Sequence, residues 1–295
     1  MSRAARILAW TGAAATVAGL CGCAARGDRG VPTPAAGAVV ARDVLYRDDA
    51  PSLDRYARER CRLDVWAPEN VNVGDELPLI VWFHAGGLSS GEKWLPDGFL
   101  TGEAVVVAAN YRLHPRVTSP VYLQDAAAAA AWAVRNAGRF GADPGRVVLA
   151  GHSAGGWLVS MLALDPRWLA AEGVEADALA GAAPISGHAV THFTVRAERG
   201  VPGTRPVVDD MAPLFHVRPD APPILIVTGD RDLELLGRYE ECAYFRRMLL
   251  EAGHKANELV EVAGADHGGV VEPAQPLVMD FVRRVAARDG APTPR

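Results

Sequence analysis

The chain has 295 residues, of which 49% are hydrophobic and 22% charged, and its formal charge at pH 7 is −5. The hydrophobic fraction is enough for one large buried core and excludes a disordered chain. The negative net charge provides no broad basic surface, so we expect neither nucleic acid nor an anionic membrane surface as the main partner.

The first residues have the features of an export signal. Two arginines precede an apolar, alanine-rich run over residues 7–20, which is shorter than the about 20 residues that a membrane-spanning helix needs. The sequence LCGC at 20–23 resembles a bacterial lipobox, and Cys23 is favoured over Cys21 because a small residue precedes it. We predict a signal peptide over 1–22 and an exported protein: an envelope lipoprotein with a lipid on Cys23, or a secreted protein without one.

Residues 23–40 are rich in Gly, Pro and Ala and predict a flexible tether, followed by one domain over 41–290 without an internal repeat. That domain contains Cys61 and Cys242. An oxidising compartment permits a disulfide between them, but nothing in the sequence places them close together, so two buried free thiols are the preferred interpretation.

From residue 61, short apolar runs alternate with stretches of helical composition. This alternation is typical of an α/β fold with a mostly parallel central sheet flanked by helices. Strands are predicted at 61–66, 78–83, 104–109, 146–150, 178–185, 223–228 and 257–262, and helices at 119–140, 154–164, 237–252 and 274–288. Residues 187–221, rich in Pro and Gly and without a period, are a candidate lid or pocket wall.

The sequence GHSAGG at 151–156 follows a predicted strand and opens a predicted helix. This is the context of the G-x-S-x-G turn, which exposes a nucleophilic serine between a strand and a helix. Glycine is needed two residues before and after the serine because the sharp turn brings backbone against backbone. Ser153 is therefore the candidate nucleophile.

A serine nucleophile needs a base, and the base needs a carboxylate that orients it. In the chain order serine, acid, histidine, the acid should follow the strand at 223–228, where Asp230 and Asp232 lie, and the base should follow the strand at 257–262, where His267 lies. Asp232 is preferred over Asp230, because the residue nearer the strand more often braces the turn.

Backbone N–H groups must also stabilise the oxyanion of an acyl-transfer reaction. His84-Ala85-Gly86-Gly87 follows the strand at 78–83, where half of such an oxyanion hole belongs. Gly86 and Gly87 are the candidate donors, with Ala154 directly after the serine as the third, and His84 is expected to be structural.

Together with Asn110-Tyr111-Arg112-Leu113, these motifs resemble the α/β-hydrolase carboxylesterases, in the branch that holds hormone-sensitive-lipase-like esterases, feruloyl-esterase-like domains and kynurenine formamidases. The resemblance covers about residues 60–285. It implies the α/β-hydrolase fold with a small or absent cap, a catalytic triad of Ser153, Asp232 and His267, and the oxyanion hole named above. The chain departs from the family at Ala85, where glycine is usual, and at His152, where hormone-sensitive-lipase-like enzymes have aspartate.

Several other residues are of types that occur in functional sites. His188 and His192 are four residues apart, but neither a following glutamate nor a clear helix supports a metal site, so none is predicted. His152 is expected to pack and to point away from the reacting oxygen, and Trp94 to line the acyl pocket or to pack against the body. No phosphate-binding glycine motif is present in the sequence, so no nucleotide cofactor is implied.

The sequence therefore predicts a serine hydrolase that needs no cofactor and cleaves carboxylic esters of small to medium acyl groups. An amidase or arylformamidase with the same triad, and a catalytically silent, envelope-anchored binding protein, are the alternatives.

Overall fold

A computed structural model describes residues 37–47, 53–235 and 237–287. The predicted signal peptide, Cys23 and the predicted tether up to residue 36 lie outside the described residues. Within them, the strands are β1 (Gly37–Leu45), β2 (Arg62–Pro68), β3 (Leu77–Phe83), β4 (Val105–Ala109), β5 (Ala142–His152), β6 (Gly181–Ile185), β7 (Ile224–Gly229) and β8 (Asn257–Val262). The helices are α1 (Arg55–Arg60), α2 (Val121–Asn136), α3 (Ala154–Leu164), α4 (Arg167–Ala170), α5 (Phe193–Glu198), α6 (Arg238–Glu251) and α7 (Val271–Ala286).

The strands form one sheet with the order β1-β2-β4-β3-β5-β6-β7-β8. Strand β2 pairs antiparallel with β1 and with β4, and every other pairing is parallel. This confirms the predicted mostly parallel sheet. Because the carboxyl ends of parallel strands lie at one edge, the loops after β3, β5, β6, β7 and β8 gather at the same edge.

Both faces of the sheet are covered, as the continuous apolar runs of the central strands predict. In β3, Leu79, Val81 and Phe83 pack in a core cluster that contains residues of α2, α3 and α6, whereas Ile80 and Trp82 pack in a second cluster that contains residues of α7. The two clusters hold the sheet rigidly beneath the loops at its carboxyl edge.

The alanine series of α2 explains how this helix approaches the sheet. Residues 126–131 are all alanine, and each is at most 2% exposed. Alanine favours the helix and leaves little side chain between it and its neighbours. The predicted helix over 119–140 is observed as Val121–Asn136, followed by a 3-10 turn over Ala137–Phe140.

Four elements differ from the prediction, and one of them is helix α4, whose four residues are too few for a helical period. Strand β1 begins at Gly37, within the segment predicted as a tether, so at least residues 37–40 belong to the sheet. This strand has one neighbour, and although half-buried and exposed residues alternate over 37–42, none of its residues is fully buried, so the sequence carries little apolar pattern there. Helices α1 and α5 are six residues each, too short for a helical period to be recognised.

No helix among the described residues combines the length and apolar character needed to cross a membrane.

Candidate active site

Ser153 lies at the turn between β5 and α3. Its backbone has φ 54° and ψ −111°, in a region that a residue with a side chain adopts only under strain. A Cβ atom on Gly155 would lie 2.1 Å from the carbonyl oxygen of Phe83, and one on Gly151 would lie 2.6 Å from the Gly155 carbonyl oxygen. Only glycine fits at these two positions, as the motif predicts, and the packing fixes the serine at the carboxyl edge of the sheet.

His267, in the loop between β8 and α7, reaches this serine. Its Nε2 atom is 2.9 Å from the Ser153 hydroxyl oxygen, and its Nδ1 atom is 2.5 Å from Oε1 of Glu234. A carboxylate only accepts hydrogen bonds when ionised, so Nδ1 carries the proton and Nε2 presents its lone pair to the hydroxyl. Hydroxyl, imidazole and carboxylate thus form one continuous chain of hydrogen bonds.

Glu234 is held ionised by four donors. Oε1 accepts from His267 and from the Leu235 amide (2.9 Å), and Oε2 accepts from the Ser186 hydroxyl (2.6 Å) and the Gly229 amide (3.2 Å). The carboxyl side chain has no exposed surface, and this burial raises its pKa, but the hydrogen bonds outweigh burial and lower the pKa to about 2. The Glu234 carboxylate therefore carries its negative charge beside the His267 imidazole over the ordinary pH range.

This geometry corrects the predicted acid. The carboxylate beside His267 belongs to Glu234, two residues beyond Asp232, whereas Asp232 is exposed and no hydrogen bond joins its side chain to the imidazole. Asp230, the residue nearer the strand, braces the turn by accepting from the Gly264 amide (2.7 Å) and the Asp232 amide (3.0 Å). The chain order of the triad allows glutamate as well as aspartate, so Glu234 also fits that order.

Ser186, which the sequence analysis did not single out, follows β6 at the same edge. It is fully buried, with φ 45°, and its amide donates to the Val227 carbonyl (2.7 Å) while its own carbonyl accepts from the Arg238 guanidinium. These backbone contacts aim its hydroxyl at Glu234. Its position directly after a central parallel strand was the feature that could have identified it.

The loop after β3 carries the predicted oxyanion donors. Gly86 has φ +114° and Gly87 has φ +62°, and a Cβ atom on Gly86 would lie 2.0 Å from the Ser90 carbonyl oxygen. Among the described residues, no backbone acceptor is found for the N–H groups of Gly86, Gly87 and Ala154. These amides are therefore free to bind an external oxygen atom.

His84 anchors the start of this loop. Its Nδ1–H donates to the Ala85 carbonyl (2.6 Å), and its ring stacks on Tyr111 with 4.4 Å between ring centroids. Burial lowers the pKa of His84 to about 4, so the ring is neutral at pH 7. The Tyr111 hydroxyl also donates to the His84 carbonyl (2.9 Å), which matches the structural role expected for this histidine.

The segment 187–221 contributes a wall to the site through α5. The Thr194 hydroxyl donates to the Gly87 carbonyl (2.5 Å), and the Phe193 ring lies so close that a Cβ atom on Gly87 would be 2.9 Å from it. At the other end of α5, the Glu198 carboxylate accepts from the Ser119 amide (2.9 Å). Since α5 is bound at both ends, we interpret it as a fixed wall and not as a lid.

Both ring nitrogens of His188 contact protein groups, and His192 is bound through Nδ1. The Nδ1 atom of His188 lies 2.9 Å from the Glu241 carboxylate, and its Nε2 atom lies 2.7 Å from the Arg238 guanidinium. The Nδ1 atom of His192 accepts a hydrogen bond from the Thr194 amide (3.2 Å). No group of three or more metal-binding side chains is found in the described parts of the chain.

Cys61 and Cys242 are both free and buried, as preferred from the sequence. Burial raises the pKa of each thiol to about 12, so both stay protonated. Trp94, 43% exposed, packs edge-to-face on Trp82 at 5.6 Å, which favours the packing role over the acyl-pocket role.

Comparison with known proteins gives a consistent result. Residues 47–213 match the model of the carboxylesterase family. Two curated proteins illustrate the similarity. A rabbit (Oryctolagus cuniculus) cocaine esterase is 33% identical over 44% of this chain and 26% of its own length. The Mycobacterium tuberculosis probable carboxylic ester hydrolase LipM is 29% identical over 64% of this chain and 49% of its own length. The chain thus spans about a quarter to a half of the length of these relatives.

Solved structures share the fold over most of the chain. A truncated carbohydrate esterase from gut microbiota superposes with a TM-score of 0.70 at 17% identity, covering 87% of this chain and 99% of that one. Thermogutta terrifontis esterase 2, phosphoramylated by tabun, superposes with a TM-score of 0.65 at 23% identity, covering 88% of this chain and 98% of that one.

Proposed function

This chain belongs to the carboxylesterase family and has the α/β-hydrolase fold, and on that basis we propose that it hydrolyses carboxylic esters through an acyl-enzyme on Ser153. His267 is the general base and Glu234 the acid that orients it. The observation that carries the proposal is the contact of Ser153 Oγ with His267 Nε2 at 2.9 Å while Nδ1 of the same ring faces a buried carboxylate.

In the acylation step, the Ser153 oxygen attacks the ester carbonyl and its proton passes to Nε2 of His267. The imidazolium so formed is stabilised by Glu234, and the developing oxyanion accepts hydrogen bonds from the amides of Gly86, Gly87 and Ala154. His267 then gives the proton to the leaving alcohol.

Deacylation repeats these roles with water as the nucleophile. His267 takes a proton from the water, hydroxide attacks the acyl carbonyl, and the proton returns to the Ser153 oxygen as the acid leaves. The ionised Glu234 fixes the same tautomer of His267 in both half-reactions.

The preferred substrates are esters of small to medium acyl groups. The support for this size class is the α5 wall: the Phe193 ring lies against Gly87, beside the proposed oxyanion hole, and Thr194 binds the loop there. A bulky acyl group would have to displace an element that is bound at both ends.

The test is hydrolysis of p-nitrophenyl esters of graded chain length by the purified protein, with Ser153→Ala as control. We expect kcat/KM to be highest for acetate to hexanoate, to decline for longer chains, and to fall at least about 10³-fold in the variant. Activity that persists in Ser153→Ala would refute the proposed nucleophile, and cleavage of formyl anilides in preference to every ester would favour an amidase.

We also propose that the chain is exported and carries a lipid on Cys23, on the support of the arginines, the apolar run over 7–20 and the LCGC sequence at 20–23. The mass of the mature N-terminus tests this. A diacylated Cys23, lost in Cys23→Ser, is expected, whereas cleavage elsewhere without lipid would indicate an ordinary secreted protein.

A further inference from the structure

His152, the last residue of β5, adjoins the nucleophile in sequence but contacts the base. Its Nε2–H donates to the backbone carbonyl of His267 (2.7 Å), and the two rings lie 4.8 Å apart at 42°. The residue is 7% exposed. Two consecutive residues, His152 and Ser153, therefore both touch His267, one at its backbone and one at its ring.

The backbone carbonyl of the base is bound to β5 through this contact. Among the described residues, the bond from His152 is the one hydrogen bond found for the His267 carbonyl. The neighbouring bonds of this loop use Asp266, whose carboxylate accepts from the amides of Gly268 and Gly269 (3.1 and 2.7 Å), and Ala265, whose carbonyl accepts from the Asp230 amide (2.8 Å). These bonds shape the loop on either side of the histidine, but none of them joins it to β5.

The charge state of His152 suits this contact. A carbonyl oxygen only accepts, so Nε2 must carry the proton, and the neutral ring does so in one tautomer. Burial and the neighbouring His267 lower the pKa of His152 to about 4, with Glu234 and Arg238 as the other charged groups that act on it. The ring therefore remains neutral while His267 becomes a cation during catalysis, and two adjacent positive charges are avoided.

We propose that His152 is a positioning residue, which ties the His267 backbone to β5 so that Nε2 of the base stays aimed at Ser153. This inference rests on the proposed function, since it assigns a role within the same site. Glu234 fixes the ring through Nδ1, and His152 fixes the chain that carries the ring. With both anchors in place, the distance between base and nucleophile is set by the rigid strand that holds Ser153.

The test compares His152→Gln, whose amide N–H reaches to a similar distance, with His152→Leu, which has similar bulk and no donor. A displacement of about 1 Å at a reacting group costs about 10²-fold in rate. We expect His152→Leu to lower kcat about 10- to 100-fold with KM changed less than threefold, and to slow fluorophosphonate labelling of Ser153 by the same factor. His152→Gln should stay within about fivefold of the native enzyme.

Thermal unfolding of each variant identifies a purely structural role. If His152→Leu does not fold, His152→Phe, which keeps a ring and removes the donor, replaces it in the same comparison. Native-like kcat in the donor-free variant, or equal losses in this variant and His152→Gln, would overturn the proposal while leaving the proposed function intact. A native protein that neither labels nor hydrolyses esters would overturn both.

Discussion

Replacing Glu234 by glutamine removes the negative charge behind His267 and keeps the side chain's shape. Oε2 of Glu234 accepts from the Ser186 hydroxyl and the Gly229 amide, so the glutamine carbonyl oxygen is expected to face these donors. The glutamine amino group then faces Nδ1 of His267. A donor at that position favours the tautomer with the proton on Nε2, which cannot accept the proton of Ser153.

The size of the effect follows from the lost charge pair. An imidazolium and a carboxylate with charge centres roughly 4 Å apart attract each other by about 4 kcal/mol at an effective dielectric constant of about 20. At about 1.4 kcal/mol per tenfold change in rate, this corresponds to about 10³-fold. The unfavourable tautomer adds to the loss, so we expect kcat to fall about 10³- to 10⁴-fold in Glu234→Gln.

The assay is kcat for p-nitrophenyl butyrate hydrolysis, with the thermal unfolding midpoint measured on each variant. Asp232→Asn is the matched control: the residue lies in the same loop, is exposed, and is the acid that the sequence favoured. We expect this control to retain activity within about threefold. A loss in Asp232→Asn as large as that in Glu234→Gln, or full activity in a folded Glu234→Gln, would refute the assignment of the acid.

Three further predictions follow from the same contacts. Gly155→Ala should lower the free energy of unfolding, measured in urea, by about 2 kcal/mol or more, because the added Cβ atom clashes with backbone. Gly138→Ala is the control, since a Cβ atom there meets open space and should change the free energy of unfolding little. Equal values for the two variants would contradict the packing account. Thr194→Val removes the hydroxyl bond to Gly87 and should lower the free energy of unfolding by about 1 kcal/mol and kcat about 3- to 10-fold, both measured against native enzyme; native kcat in the folded variant would contradict the role of this bond. The folded-state pKa of Glu234, about 2, lies below its ordinary 4.5, so the stability it contributes above pH 4.5 should disappear as pH falls from 4.5 to 2. Acid titrations of unfolding should show a steeper slope in native protein than in Glu234→Gln, which keeps other carboxylates whose pKa is lowered, such as Glu241 and Glu261.

The sequence predicted the elements that depend on repeated local patterns. The alternation of apolar runs and helical stretches gave the parallel sheet, and the motifs at its strand ends placed Ser153 and His267 at one edge, where their side chains meet. Both positions follow from topology, because the loops after the parallel strands β5 and β8 leave the same edge of the sheet.

The choice of acid depended on contacts that no local pattern contains. Asp230 and Asp232 both lie nearer to β7 in sequence than Glu234. The hydrogen bonds of the turn use Asp230 as a brace. They direct the longer Glu234 side chain inward, where it contacts Ser186 and His267. The partner Ser186 comes from another strand, so its role appears only in three dimensions.

The edge strand β1 and helix α5, which lies within the predicted lid or pocket wall, were missed for similar reasons. Strand β1 derives its structure from pairing with β2, in a register that runs from Gly37 opposite Pro68 to Leu45 opposite Arg62, and not from a strong pattern of its own. Helix α5 is fixed by the bonds of Thr194 and Glu198 to distant backbone atoms. Such short elements are stabilised by tertiary contacts, which override local propensity.

The most direct measurement of the central claim is covalent modification with diisopropyl fluorophosphate, followed by mass spectrometry of the intact protein and its peptides. The account predicts one phosphoryl adduct per chain on Ser153, loss of ester hydrolysis in step with labelling, and no adduct in Ser153→Ala. Modification at another residue, or an unmodified protein that continues to hydrolyse esters, would contradict it.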